Sequence, residues 1–206
     1  MAAIQNSRRW RGPAIRRVGM SAGASAVAAC TAAERLASIE NRQSPSENPM
    51  ALQLNQAQLE SIRGHAARDY PRECCGILLG KAEGGAKRVA EVVPLANLRH
   101  DPARAQALWP LDDPGRETER NRFLIDPLGQ LRVEKHARRR GLDVLGYYHS
   151  HSDCPAQPSA YDRDHAWPRY SYVIVAVERG DPRELTSWVL AADRSAFAAE
   201  PLVMGD

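Results

Sequence analysis

The sequence predicts a mixed α/β fold, one β-sheet flanked by helices, and three observations lead there. Short apolar or β-branched runs of strand length recur at residues 73–80, 143–148 and 171–177. Around them stand segments whose apolar residues repeat at helical spacing and which carry helix start and stop residues. Gly84-Gly85 joins two strand-like runs as a hairpin, so antiparallel neighbours are expected beside parallel ones.

Size and composition set the frame. A chain of 206 residues is one domain with an appendage. Its 43% hydrophobic content supplies a core, and no run approaches the ~20 apolar residues of a membrane span. The formal charge of +3 is mild and scattered apart from Arg138-Arg139-Arg140, so nucleic acid is not called for as a partner. Cys30, Cys74, Cys75 and Cys154 do not form a secreted disulfide framework, since adjacent residues on a strand point in opposite directions. A reducing, cytoplasmic setting is expected.

Taken in order, residues 1–49 are rich in Ala, Ser and Arg, and close on a Ser/Pro/Asn stretch of linker composition. They read as a disordered extension, with Met50 as a natural start; a targeting segment is the alternative. Leu59, Ile62 and Ala66 give a helical stripe over residues 55–68, ended at Tyr70-Pro71. Residues 73–80 then form a buried strand with Glu73 at its entrance, and residues 87–95 its hairpin partner. Residues 97–120 have no sustained period and carry three prolines, which predicts a long loop. Residues 123–125 read as a strand. Asp126 and Pro127 supply an N-cap and first helical residue, and Gly141 the stop; the three arginines complement that helix's C-terminal dipole. Further strands are expected at 143–148, 171–177 and 184–191, with a last edge strand at 196–203.

Chemistry concentrates between residues 149 and 162. His149 and His151 follow a strand and, two apart, project to one face. Two neutral imidazoles make half of a tetrahedral zinc site. Pro158-Ser159 reads as the start of a helix running to about Trp167, with Asp162 in its first turn facing back toward the strand end. Two histidines and an aspartate leave the fourth position open, the arrangement of a catalytic rather than a structural zinc. Read singly, the His pair is a solvated strand feature and Ser159-x-x-Asp162 a capping box. Cys154 reads first as a partly exposed loop thiol, although a thiolate is also a good zinc ligand.

The whole pattern, H-S-H followed after seven residues by S-x-x-D, resembles the signature of the MPN/JAMM zinc metallopeptidases, and the start E-C-C-G before an apolar run is similar to that of their small bacterial members. The resemblance spans about residues 50–201. It implies the MPN fold, a cytidine-deaminase-like sheet flanked by helices, with one catalytic Zn2+ on His149, His151 and Asp162. It also implies Glu73 as the general base and Ser159 as an oxyanion donor. Relatives commonly have proline directly after the second histidine, where this chain has Ser152. Zinc deaminases share the layering but use H-x-E and P-C-x-x-C, and neither is present.

The activity implied is hydrolysis of an amide or isopeptide bond at the C-terminal tail of a ubiquitin-like or sulfur-carrier protein. The compact bacterial type points to release of cysteine from a carrier's terminal glycine. A deconjugase for another ubiquitin-like modifier is the alternative enzyme. A metal-free MPN scaffold that only binds partners is a third reading, and such scaffolds lack some of the five residues present here.

Overall fold

The structure, a computed structural model, describes residues 50–108 and 121–205. The extension expected over residues 1–49 lies outside them, as does the later part of the expected 97–120 loop. The strands are β1 Ala51–Leu54, β2 Cys75–Glu83, β3 Ala86–Leu95, β4 Asp143–Ser152, β5 Ser171–Glu178, β6 Asp181–Leu190, β7 Phe197–Glu200 and β8 Leu202–Met204. The helices are α1 Gln56–Asp69, α2 Pro102–Leu108, α3 Pro127–Arg139 and α4 Ala160–His165.

All eight strands lie in one sheet, ordered β7-β6-β5-β4-β2-β3-β1-β8. The sheet is mixed, as expected: β2 runs antiparallel to β3 and β4, whereas β4 and β5 are parallel. Alternation along the central strands sorts side chains to two faces. Leu78, Tyr148, Val173 and Val175 pack with Ile62 and Ala66 of α1, while Ile77 and Leu79 pack with Val133 and Ala137 of α3. Gly76 lies opposite Tyr148, and a Cβ there would collide with the tyrosine ring, so only glycine leaves room for it.

Helix boundaries follow local chemistry. The Asn55 side chain accepts from Gln58 N at 2.9 Å while Gln58 Oε1 accepts from Asn55 N at 2.9 Å, a reciprocal cap on α1. Asp126 caps α3 ahead of Pro127, and Gly141 leaves it at φ 64, both as the sequence predicts. α4 stops at His165, two residues earlier than expected, because the chain is already extended at Ala166 (φ −78, ψ 160), two residues ahead of Pro168.

Three expectations need correction. The 97–120 stretch is not structureless where it is described: a 3₁₀ turn covers Leu98–His100, and α2 follows, its first turn held by Asp101, whose carbonyl accepts from Ala105 N at 2.9 Å. Residues 123–125 form no strand but a single bridge, Asn97 to Ile125. The expected edge strand at 196–203 is two strands on opposite edges of the sheet, because Pro201 has no N–H to continue the ladder with β6. β1, too short to show a pattern of its own, was not anticipated.

That split reveals how the sheet closes. β7 and β8 are its two ends, yet only Pro201 separates them in the chain, and Leu52 N donates to the Pro201 carbonyl at 2.9 Å. The sheet therefore curls until its edges meet. Lys87 on β3 reaches Ser171 on β5 and Glu200 on β7, both at 2.9 Å, although those strands stand three and five places away in the order. Ser171 and Ser187 hydroxyls also donate to the Glu200 carboxylate. The ion pair is buried, so replacing Lys87 with Met is expected to destabilise by ~3–5 kcal/mol, the usual cost of stranding a buried charge. Denaturant unfolding measures this, and a loss under about 1 kcal/mol would show that the pair does not hold the curl.

Candidate metal centre

β4 carries its histidines at the end of a buried central strand, His149 2% and His151 8% exposed. Their faces are set by register: His149 stands opposite Cys75 of β2 and beside Ile174 of β5. Ser150, between them, faces the other way and locks the strand end. Its Oγ accepts from Cys74 N at 2.8 Å, and its own N donates to the Cys74 carbonyl at 3.2 Å.

The chain then turns at Asp153, in the left-handed region at φ 57. Tyr70 Oη and Arg179 N, each at 3.0 Å, donate to its carboxylate, and its own N donates to the Val177 carbonyl at 2.8 Å. This anchored turn delivers the Pro155 carbonyl to His151 Nδ1 at 2.9 Å. A carbonyl only accepts, so Nδ1 carries the hydrogen and Nε2 is directed into the site. α4 supplies the carboxylate. Asp162 Oδ2 accepts from Ser159 N and Ser159 Oγ, both at 2.7 Å, within a full capping box. Ser159 thus holds the expected ligand as well as starting the helix.

The three expected ligands converge. His149 Nε2 and His151 Nε2 lie 3.0 Å apart, and Asp162 approaches them at 3.5 and 3.6 Å. Among the described residues they are the cluster compact enough to share one ion, and Cys154 is not in it. Burial pushes His149 down to about 4 despite the attraction of Asp162, with the charge on His151 assisting. Burial acts the same way on His151, but the hydrogen bond and charge of Asp162 and the charge of Glu73 outweigh it and raise it to about 9. Burial works to raise Asp162, yet the neighbouring imidazoles and the Ser159 hydroxyl hold it far below the usual carboxylate range. Two imidazole nitrogens and a carboxylate facing one point are a donor set that fits Zn2+. Ligands ~2.0–2.1 Å from a tetrahedral ion stand roughly 3.3 Å from one another, and the observed spacings bracket that value.

Glu73 is 5% exposed and immediately precedes the Cys74 that pairs with Ser150. Continuing the β2–β4 register places it across from His151, on the histidine face, and its charge acts on that imidazole. So the strand entrance and the histidines, 76 residues apart between Glu73 and His149, belong to one site.

Residues that sequence reasoning missed complete it. Phe123 stacks on His149 with ring centroids 4.6 Å apart, and the Arg122 guanidinium lies 4.2 Å from the Tyr161 ring. A groove of ≈ 350 Å³ is lined by His149 and Asp162 together with Phe123, Leu124, Ile125, Tyr161, Trp167 and Tyr172. No spacing rule marks these residues: Arg122 and Phe123 come from the segment before α3 and Tyr161 from α4, and only folding brings the two segments together. Trp167, also in the lining, is 67% exposed.

Residues 55–191 match the family described as prokaryotic homologs of the JAB domain. The chain is 33% identical over 129 residues to the "Probable TtuB-protein conjugate cleaving protease" of Thermus thermophilus, covering 63% of this chain and 72% of that protein. It is 32% identical over 117 residues to the "Desampylase" of Haloferax volcanii, covering 56% and 70%. A solution structure of a Desulfitobacterium hafniense protein superposes with a TM-score of 0.59 at 30% identity, over 75% of this chain and 93% of that one. With two thirds of its length matched and the H-S-H, S-x-x-D residues gathered at one point, the chain belongs to the prokaryotic JAB family of MPN-type domains.

Proposed function

We propose that this protein is a zinc metallopeptidase that hydrolyses the amide or isopeptide bond at the C-terminal tail of a ubiquitin-like or sulfur-carrier protein. The observation that carries the reading is the convergence of His149, His151 and Asp162 opposite Glu73, at the head of an apolar groove. Zinc, when bound, supplies a Lewis acid and a water activated at neutral pH.

The chain's own residues do the rest. The Pro155 carbonyl keeps His151 in the ligating tautomer, and Ser159 holds the Asp162 carboxylate. Glu73 accepts the proton of the attacking water and returns it to the departing amine. The Ser159 hydroxyl can turn from Asp162 to a developing oxyanion, because the Ser159 N–H still holds the same carboxylate oxygen. An extended tail lies along the groove, its backbone beside Phe123–Ile125 and its side chains against Tyr161 and Trp167.

The name of the Thermus relative, a protease that cleaves TtuB-protein conjugates, favours deconjugation over release of free cysteine from a carrier. The test is incubation of the full chain with three tail adducts: a ubiquitin-like protein joined to a lysine side chain, the same tail as a linear fusion, and a carrier ending in glycine-cysteine. Cleavage of the lysine adduct, abolished by chelation and restored by Zn2+, supports deconjugation. Preference for the glycine-cysteine bond moves the assignment to carrier processing. If no adduct is cut with zinc bound, the peptidase reading fails.

A further inference from the structure

Asn97 is 1% exposed and uses every hydrogen-bonding position of its side chain. Its Nδ2 donates to the Glu73 carbonyl at 2.9 Å and to the Arg122 carbonyl at 3.1 Å. Its Oδ1 accepts from Arg99 N and Leu124 N, both at 3.0 Å. One amide thus joins three stretches of backbone: the entrance to β2, the start of the excursion after β3, and its return.

Two consequences follow from which groups are held. The Glu73 carbonyl and the Cys74 N–H belong to a single peptide plane. Asn97 holds its oxygen and Ser150, the residue between the two histidines, holds its hydrogen. That plane cannot rotate without breaking a bond at one end, and the direction of the Glu73 side chain is set by it. On the return, Asn97 grips the residues on either side of Phe123, whose ring lies on His149. The neck is reinforced by Leu98 N donating to the Leu124 carbonyl at 2.8 Å.

We infer that Asn97 is a positioning residue that makes the placing of Glu73 and the seating of Phe123–Ile125, which help line the groove, one mechanical event. A tail entering the groove would press on the same unit that aims the base. This rests on the proposed role of Glu73, so the test separates the two.

The experiment is a double-mutant cycle of Asn97→Ala with Glu73→Gln, on the zinc-loaded full chain and the lysine adduct. Misplacing a catalytic group by about 1 Å costs roughly a hundredfold in rate, and that loss in kcat is expected for Asn97→Ala with zinc content unchanged. In the Glu73→Gln background the same substitution is expected to cost under about threefold, because its target is already disabled. Equal losses in both backgrounds would reduce Asn97 to a structural role and overturn the inference.

Amide hydrogen exchange supplies a readout that needs no substrate. Asn97→Ala is expected to speed exchange at Arg99, Leu124 and Cys74 together while β5 keeps its protection. If Arg99 and Leu124 loosen and Cys74 does not, the coupling is absent. Should the wild type cut no adduct, the peptidase reading falls and the exchange result alone decides. Should Asn97→Ala fail to fold, Asn97→Ser, which retains a hydroxyl for one of the four groups, takes its place in both arms.

Discussion

Exchanging Glu73 for Gln is expected to lower hydrolysis of a tail adduct by roughly 10²–10⁴-fold, the usual contribution of a general base, while zinc content stays that of the wild type. Gln keeps the volume and a hydrogen-bonding oxygen but cannot take up a proton. The separation of effects is what identifies the role. Glu73 lies across from His151 in the continued β2–β4 register and influences it through its charge, so it borders the candidate metal site without joining the His-His-Asp cluster. Rates on the zinc-loaded variant, set beside its zinc content, measure both. Wild-type turnover by Glu73→Gln would remove the base from the mechanism, and loss of zinc would make Glu73 a support of the site instead.

His149→Ala is expected to abolish both zinc retention and activity, leaving turnover at the metal-free background. The physical reason is stoichiometric: an open catalytic site offers three protein ligands, and two do not hold the ion. Zinc retained in near-equal amount with protein after this substitution would mean that the ion sits elsewhere. The wild-type site also predicts a pH dependence. Without metal, burial lowers His149 to about 4 while Asp162 and Glu73 outweigh burial and raise His151 to about 9, so between those values the cluster is expected to hold one proton, on His151. Zinc must expel it. Apparent affinity is therefore expected to fall as pH falls, by about tenfold per unit, with one proton released per ion bound. Zinc titrations in buffers of different ionisation enthalpy count that proton, and an affinity flat across roughly pH 5 to 8 would contradict the assigned proton.

Much of this was open to reading along the chain. Helix α3 announced itself through Asp126, Pro127 and Gly141, and the hairpin of β2 and β3 through Gly84-Gly85. The ligand pattern was legible because strand alternation puts His149 and His151 on one side and a helix start three residues before Asp162 turns it back. What failed was non-local. β1 is four residues that pair only with β3 and β8, distant in sequence, and the chain's last strands part at Pro201 to opposite edges. Phe123 reads as part of a strand by composition, yet a single bridge is all the ladder it neighbours, and its ring serves His149 instead.

Periodicity, caps and spacing act within a few residues, so the sequence by itself determined the mixed α/β class, most elements, and which residues could ligate a metal. The resemblance alone tied Glu73 to the histidines; only the tertiary structure decided the register that sets it across from His151, that Asn97 binds three backbone segments into one neck, and that the sheet curls far enough for Lys87 to reach Glu200. Those contacts join segments brought together by strand pairing and burial, and no local rule registers a partner that the chain meets only after folding.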